Sequence, residues 1–201
     1  MADETLWGTH KLWTPILNGL NLTEDDFEEV RLSIGGNTAL VGDLVTYIGQ
    51  VTAATPTTHR DVKLAVAVSS DDQTAADPNG WCGQIIEPVI KPDPISGVEW
   101  VPSTALIDGT MVRILKRGAR ATTAMIYTDA SDDVLPGNSL SVSATGGEIR
   151  KSVNAYTDTT PTVNELANAL ISQGLEHVGY ADGVAEDSAG NAILVAVNWG
   201  R

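Results

Sequence analysis

Any chemistry this chain performs has to come from a short roster of side chains. The histidines His10, His59 and His177 are widely separated and lack zinc-ligand spacing of the His-Glu-x-x-His kind. Surface or packing roles are expected of them. Cys82 is the single cysteine, which excludes an intrachain disulfide and a cysteine-based metal cluster within one chain. In "WCGQ" it has no second thiol to make a redox pair, so it reads as a half-buried small apolar residue. No serine stands in a Gly-x-Ser-x-Gly elbow. "SIGGNTALVGD" has glycines but neither the Lys-Ser/Thr of a phosphate loop nor dinucleotide-binding spacing, and reads as a turn before a strand. Asp71, Asp72 and Asp77 share one loop, and Asp182, Glu186 and Asp187 another. Clustered carboxylates suit hard cations such as calcium, but neither loop has EF-hand spacing, so solvated loop charge is expected. A carboxylate pair for glycoside hydrolysis comes together only in a fold, and that alternative stays open. An aromatic content of 5% makes a sugar-stacking surface sparse. The reading is of a non-enzymatic protein with no cofactor and no metal.

Binding residues stand out more than catalytic ones. The first 22 residues carry Leu6, Trp7, Leu12, Trp13, Ile16, Leu17, Leu20 and Leu22 among few charges, with Pro15 and glycines that argue against one continuous helix. They read as an extended apolar arm that either folds back onto its own core or lies across a partner. In the second case Trp7, Leu12, Trp13 and Ile16 are the anchors, tryptophan being enriched at binding hot spots. The other candidate is "RILKRGAR", where Arg113, Lys116, Arg117 and Arg120 lie within eight positions. It is either a solvated hairpin tip or a contact for an acidic neighbour, including another copy of the chain.

The bulk numbers narrow the partners. With 201 residues the chain can bury a substantial core, and 42% hydrophobic residues exclude a disordered chain. Acidic residues outnumber basic ones 26 to 12, a net charge of −14, so no nucleic-acid partner is expected, because phosphate contacts need positive charge. No apolar run approaches the roughly 20 residues of a membrane span. The acidic start "MADETLWGTHKLW" has no secretory pattern, so no membrane partner and synthesis in a cytoplasm are expected.

The elements that must position these residues are mostly strands. In "TEDDFEEVRLSIGG", Thr23 and Asp26 cap a helical turn before a strand with Val30, Leu32 and Ile34 alternating. "LVGDLVTYIGQV" and "DVKLAVAVSSDD" are further strands, the second alternating Val62, Leu64, Val66 and Val68. "WCGQIIEPVIKPDP" is interrupted by prolines, which predicts an edge strand. "GVEWVP" is another short strand. "GTMVRILKRG" and "TTAMIYTDA" are expected to pair across the basic turn. "LPGNSLSVSATGGEIRKSV" reads as a hairpin, and "HVGYADGVAEDSAGNAILVAVNWG" as two β runs around an acidic turn. One helix is predicted over 162–173, with Thr162 and Glu165 at capping-box spacing. Val163, Leu166, Ala167, Leu170 and Ile171 form its apolar stripe, and Gly174 lies just past its end. The expected fold is mainly β, a barrel or sandwich of short antiparallel strands. The helix caps it, the arm spans 1–22, and one β-rich domain spans 23–201.

"VLPGNSLSVSATGGEIRKS" followed by "HVGYADGVAEDSAGNAILVAVNW" resembles the end of small β-rich head proteins of tailed bacteriophages. There, a Gly-Asp/Asn-x-Leu strand precedes a Val-Gly-x-Ala strand and a final alternating strand. The similarity covers about 40–55 and 134–199; the helix and the Trp-rich arm lie outside it. Decoration, or cement, proteins of this family sit on the outside of an icosahedral capsid, often as trimers, and clamp neighbouring shell subunits with an N-terminal arm. The resemblance implies a non-enzymatic structural protein of the virion exterior, assembled in the host cytoplasm. Its implied partners are the major capsid protein and further copies of the chain, a homotrimer being favoured. The alternatives are another virion module, tail or fibre associated, and a carbohydrate-binding adhesion module that uses an exposed Trp81 or Trp100.

Overall fold

Short strands with one apolar face must be closed on themselves or stacked to hide that face from water. This chain does both. The computed structural model describes residues 16–18, 22–48, 60–67, 80–89, 105–118, 123–127, 134–152, 162–163, 167, 174–182 and 194–199. Among them are β1 (Ile16–Asn18), β2 (Phe27–Leu32), β3 (Leu44–Tyr47), β4 (Arg60–Leu64), β5 (Gly83–Pro88) and β6 (Met111–Lys116). After these come β7 (Thr123–Tyr127), β8 (Ser139–Val142), β9 (Ile149–Lys151), β10 (His177–Ala181) and β11 (Leu194–Trp199). Five strands close a barrel in the order β2-β4-β3-β5-β6, and six form a sheet in the order β1-β7-β11-β10-β8-β9. The expected mainly β fold is the one observed. Every pair is antiparallel except β2–β4, which runs parallel and closes the barrel.

Two cores follow from the alternation. Val30 and Leu32 of β2, Val45 of β3, Val62 of β4, Ile85 of β5, and Val112 and Ile114 of β6 fill the barrel. Ile34, Ala39, Val41 and Leu106 join them from the loops at one end. The second core lies between barrel and sheet. Leu44, Ala65, Trp81, Ile86 and Leu115 meet Leu140, Val142, Ile149, Val178 and Val197, with Leu22 and Phe27 packed at the margin. Fully burying one such aliphatic side chain is worth about 1.5–3 kcal/mol, so both contacts are substantial. Gly83 permits a close approach of β5 to β6 in the barrel. A Cβ there would lie 2.6 Å from the Leu115 carbonyl oxygen.

Local expectations fare unevenly. The turn before β2 is a 3-10 turn, Glu24–Asp26, with the Thr23 N–H donating to Asp26 Oδ2 at 2.7 Å. Both predicted C-terminal pairs form, β8 with β9 and β10 with β11. β5 is not an edge: it lies between β3 and β6. Its Pro88 is tolerated because it is the last strand residue, just beyond a register shift between Ile85 and Glu87. β6 and β7 do not pair. β6 already has β2 and β5 as neighbours in the closed barrel, so the chain crosses to the sheet, where β7 lies between β1 and β11. Helical backbone occurs at Val163 and Ala167 and again at Gly174–Glu176, so Gly174 is helical rather than beyond the end. Val163, expected on the buried stripe, is 82% exposed. The rest of that helix, and the "GVEWVP" strand, lie outside the described residues.

Candidate functional site

Residues opposed in a ladder share a face of the sheet. Glu28 opposes Ile114, Arg60 opposes Val30, Tyr47 opposes Val62, and Lys116 opposes Gly83. These four therefore project from the inner face of the barrel at one mouth, where Cys82 enters β5. The Tyr47 hydroxyl donates to Glu28 Oε2 at 2.6 Å. Arg60 Nε lies 3.6 Å from Glu28 Oε1, and its guanidinium stands 4.8 Å from the centroid of the Tyr47 ring. Burial, and then the bond to Glu28, hold the Tyr47 phenol well above its usual range. Burial, followed by the Glu28 charge, pushes the Cys82 thiol up to about 12. Near neutral pH both groups keep their protons, so neither is an activated nucleophile. The cluster acts as a polar stopper over an apolar barrel.

The basic run splits among three environments. Arg113 points outward, pairs with Glu24, lies 3.8 Å from Glu87 and covers the Phe27 ring at 4.4 Å. Lys116 belongs to the barrel mouth. Arg117 donates to the carbonyls of Leu175 at 2.6 Å and Gly174 at 2.9 Å, where helical backbone ends, and stands 5.3 Å from the Trp81 ring centroid. A cation on C-terminal helix carbonyls is favoured by hydrogen bonding and by the helix dipole. The Trp81 indole donates in turn to the His177 carbonyl at 3.0 Å. Arg117 and Trp81 thus rivet the barrel to the start of β10. Trp81 is 5% exposed, which removes it as a sugar platform. Arg120 and Trp100 lie outside the described residues.

The arm anchors separate likewise. Ile16 begins β1, which pairs with β7 at the margin of the sheet, so the last part of the apolar segment belongs to the body. Trp7, Leu12 and Trp13 lie outside the described residues, as do His10, His59, Asp71, Asp72, Asp77, Glu186 and Asp187. No group of three or more metal-ligating side chains occurs among the described residues.

The chain matches no family model and no curated protein. Function is therefore argued from its geometry.

One surface was not legible in the sequence. On the outer face of the sheet, Arg150 and His177 both oppose Ser141, and Tyr180 opposes Ser139. Ser139 Oγ lies 3.4 Å from His177 Nδ1 and 3.2 Å from Ser152 Oγ. The His177 and Tyr180 rings meet edge to face at 5.4 Å. Burial, and then the nearby Arg117 charge, lower the His177 pKa, so the imidazole is neutral at pH 7. The face offers hydroxyls, a neutral imidazole and a phenol ring that is 41% exposed. It suits hydrogen bonding to a polar partner. The register shift between His177 and Gly179 brings His177 and Tyr180 to one side, and no simple alternation would reveal that.

Proposed function

We propose that the protein is a virion structural component of the decoration, or cement, class. It binds the outside of an icosahedral head and stabilises the shell through its N-terminal segment and loops. The observation that carries this reading is the placement of the two segments that resemble phage head proteins. They fold as β8–β9 and β10–β11, and β8 pairs with β10, so both lie side by side in one sheet. The polar stopper at the barrel mouth, with its protonated thiol and phenol, adds weight to a structural role over a chemical one.

The mechanism is differential binding. A protein that binds the assembled shell better than free subunits shifts the equilibrium toward the shell. Many weak contacts on a lattice add through multivalency, and a homotrimer would raise that gain. Quantitative mass spectrometry of purified particles of a virus whose genome encodes this chain tests the reading. A copy number comparable to the major shell protein is expected. A handful of copies would transfer the protein to the tail or a fibre, and absence from particles would overturn the structural reading.

A further inference from the structure

Barrel and sheet are joined where the turn between β8 and β9 comes down on β3 and β4. The Leu44 N–H donates to the Gly147 carbonyl at 2.8 Å, the Gly147 N–H to the Ala65 carbonyl at 2.9 Å, and the Ala67 N–H to the Ser143 carbonyl at 2.7 Å. Under this turn lies Asp43, 6% exposed. Its Oδ2 accepts the Leu40 N–H at 2.7 Å. Gly147 presses on the side chain so closely that a Cβ there would fall 2.8 Å from Asp43 Cβ and Cγ and 3.1 Å from Oδ2. The φ of +85° at Gly147 also selects glycine. No water fits between turn and carboxyl on that side.

We propose that Asp43 and the β8–β9 turn form a proton-operated latch: the neutral carboxyl seats the turn on the barrel, and its ionisation loosens the turn and uncouples sheet from barrel. A carboxylate sealed under a glycine turn has lost most of its water, and buried charge is costly without several donors. The charged group that bears on it from the turn is Glu148, of the same sign. From β5 the neutral Gln84 amide reaches the neighbouring Gly42 carbonyl at 3.0 Å; Leu44, Ala65 and Ala67 meet the turn through their backbone, and the apolar Leu64 and Val66 side chains stand against Gly146. Burial first, then Glu148, raise the Asp43 pKa from 3.8 to about 7, while the Leu40 N–H pulls the other way. The raised value sets the sign. The seated state keeps a proton that the unfolded chain releases, so the contribution is complete below the ordinary carboxylate pKa. It is lost as pH rises through about 7.

Hydrogen exchange at the Leu44, Gly147 and Ala67 amides tests the latch, with protection corrected for intrinsic base catalysis. From about pH 5 to about pH 8 the protection of these amides should fall about tenfold or more, while barrel amides away from the joint hold theirs. Asp43→Asn keeps an acceptor for the Leu40 N–H and never ionises, so its protection should stay flat. A flat profile in the unaltered chain, or the same fall in the variant, overturns the latch. If the variant does not fold, carbon-13 titration of the Asp43 carboxyl in the unaltered chain decides. A midpoint near 7 that tracks the exchange supports the latch, and one near 4 overturns it.

Discussion

The Cys82 thiol lies at the polar mouth of the barrel, where burial and the Glu28 carboxylate both oppose its ionisation. A free thiol has a pKa near 8.5, so at about pH 8 roughly a quarter of it is thiolate, against about one part in ten thousand at a pKa of about 12. Alkylation by iodoacetamide at that pH should therefore run at least about a hundredfold slower in the folded chain than in urea. A folded rate within about tenfold of the unfolded one would show that the thiol is not held as described. The half-buried apolar role expected of this residue was readable because a lone cysteine has few alternatives. The arginines were less readable. A run of basic residues looks like one patch, but Arg113 and Arg117 turn to different neighbours because strand alternation and the end of β6 send them different ways. Their partners, Glu24 and the Leu175 carbonyl, are 89 and 58 residues away, and nothing local announces them.

At the scale of elements, the sheet ends in two short strands. β1 and β9 have three residues each, which limits the unpaired backbone offered to another chain. β1 also marks where the apolar N-terminal segment joins the body, and two truncations separate its roles. Removing residues 1–15 leaves β1 in place, so the melting temperature should stay within a few degrees while the proposed binding to shells should be lost. Removing residues 1–20 deletes β1, uncovers β7 and should lower the melting temperature and raise light scattering on heating. If the two truncations behave alike, β1 contributes nothing to the body. If the shorter truncation binds shells fully, the anchors lie elsewhere. Strand existence was legible from alternation and glycine turns, and so were the β8–β9 and β10–β11 hairpins. Pairing across distance was not. The β6–β7 hairpin expected from adjacency failed because ring closure had already filled both sides of β6. The place of β5 inside the ring was hidden because Pro88 argues for an edge only when it falls mid-strand.

Across the whole molecule, the two cores share three strands. Val45 faces the barrel interior and Leu44 the sheet; Ile85 and Ile86 divide in the same way, as do Ile114 and Leu115. The strand burial is therefore double-sided in β3, β5 and β6, and among the described residues it is the barrel that covers the apolar face of the sheet. Two units that share their walls should unfold together. At about pH 5, with the Asp43 carboxyl neutral and the turn seated, the chain is expected to melt in one transition, with calorimetric and van't Hoff enthalpies in agreement. Leu115→Ala gives the sharper test, because this fully buried side chain faces the sheet from a barrel strand. It should cost about 2–5 kcal/mol in urea unfolding. In a welded body that loss should appear equally in the exchange protection of the most stable β3 and β10 amides, since both then open only by global unfolding. If β10 loses protection while β3 keeps it, barrel and sheet are separate cooperative units, and the body cannot carry load between neighbours as the proposed decoration role requires. Equal losses at about pH 5, where the Asp43 carboxyl is neutral, would mean that force applied at the sheet edge, where β1 leads to the N-terminal segment, passes into the barrel without a compliant joint. On that outcome the Asp43 contact becomes the place where protonation sets how stiff the body is.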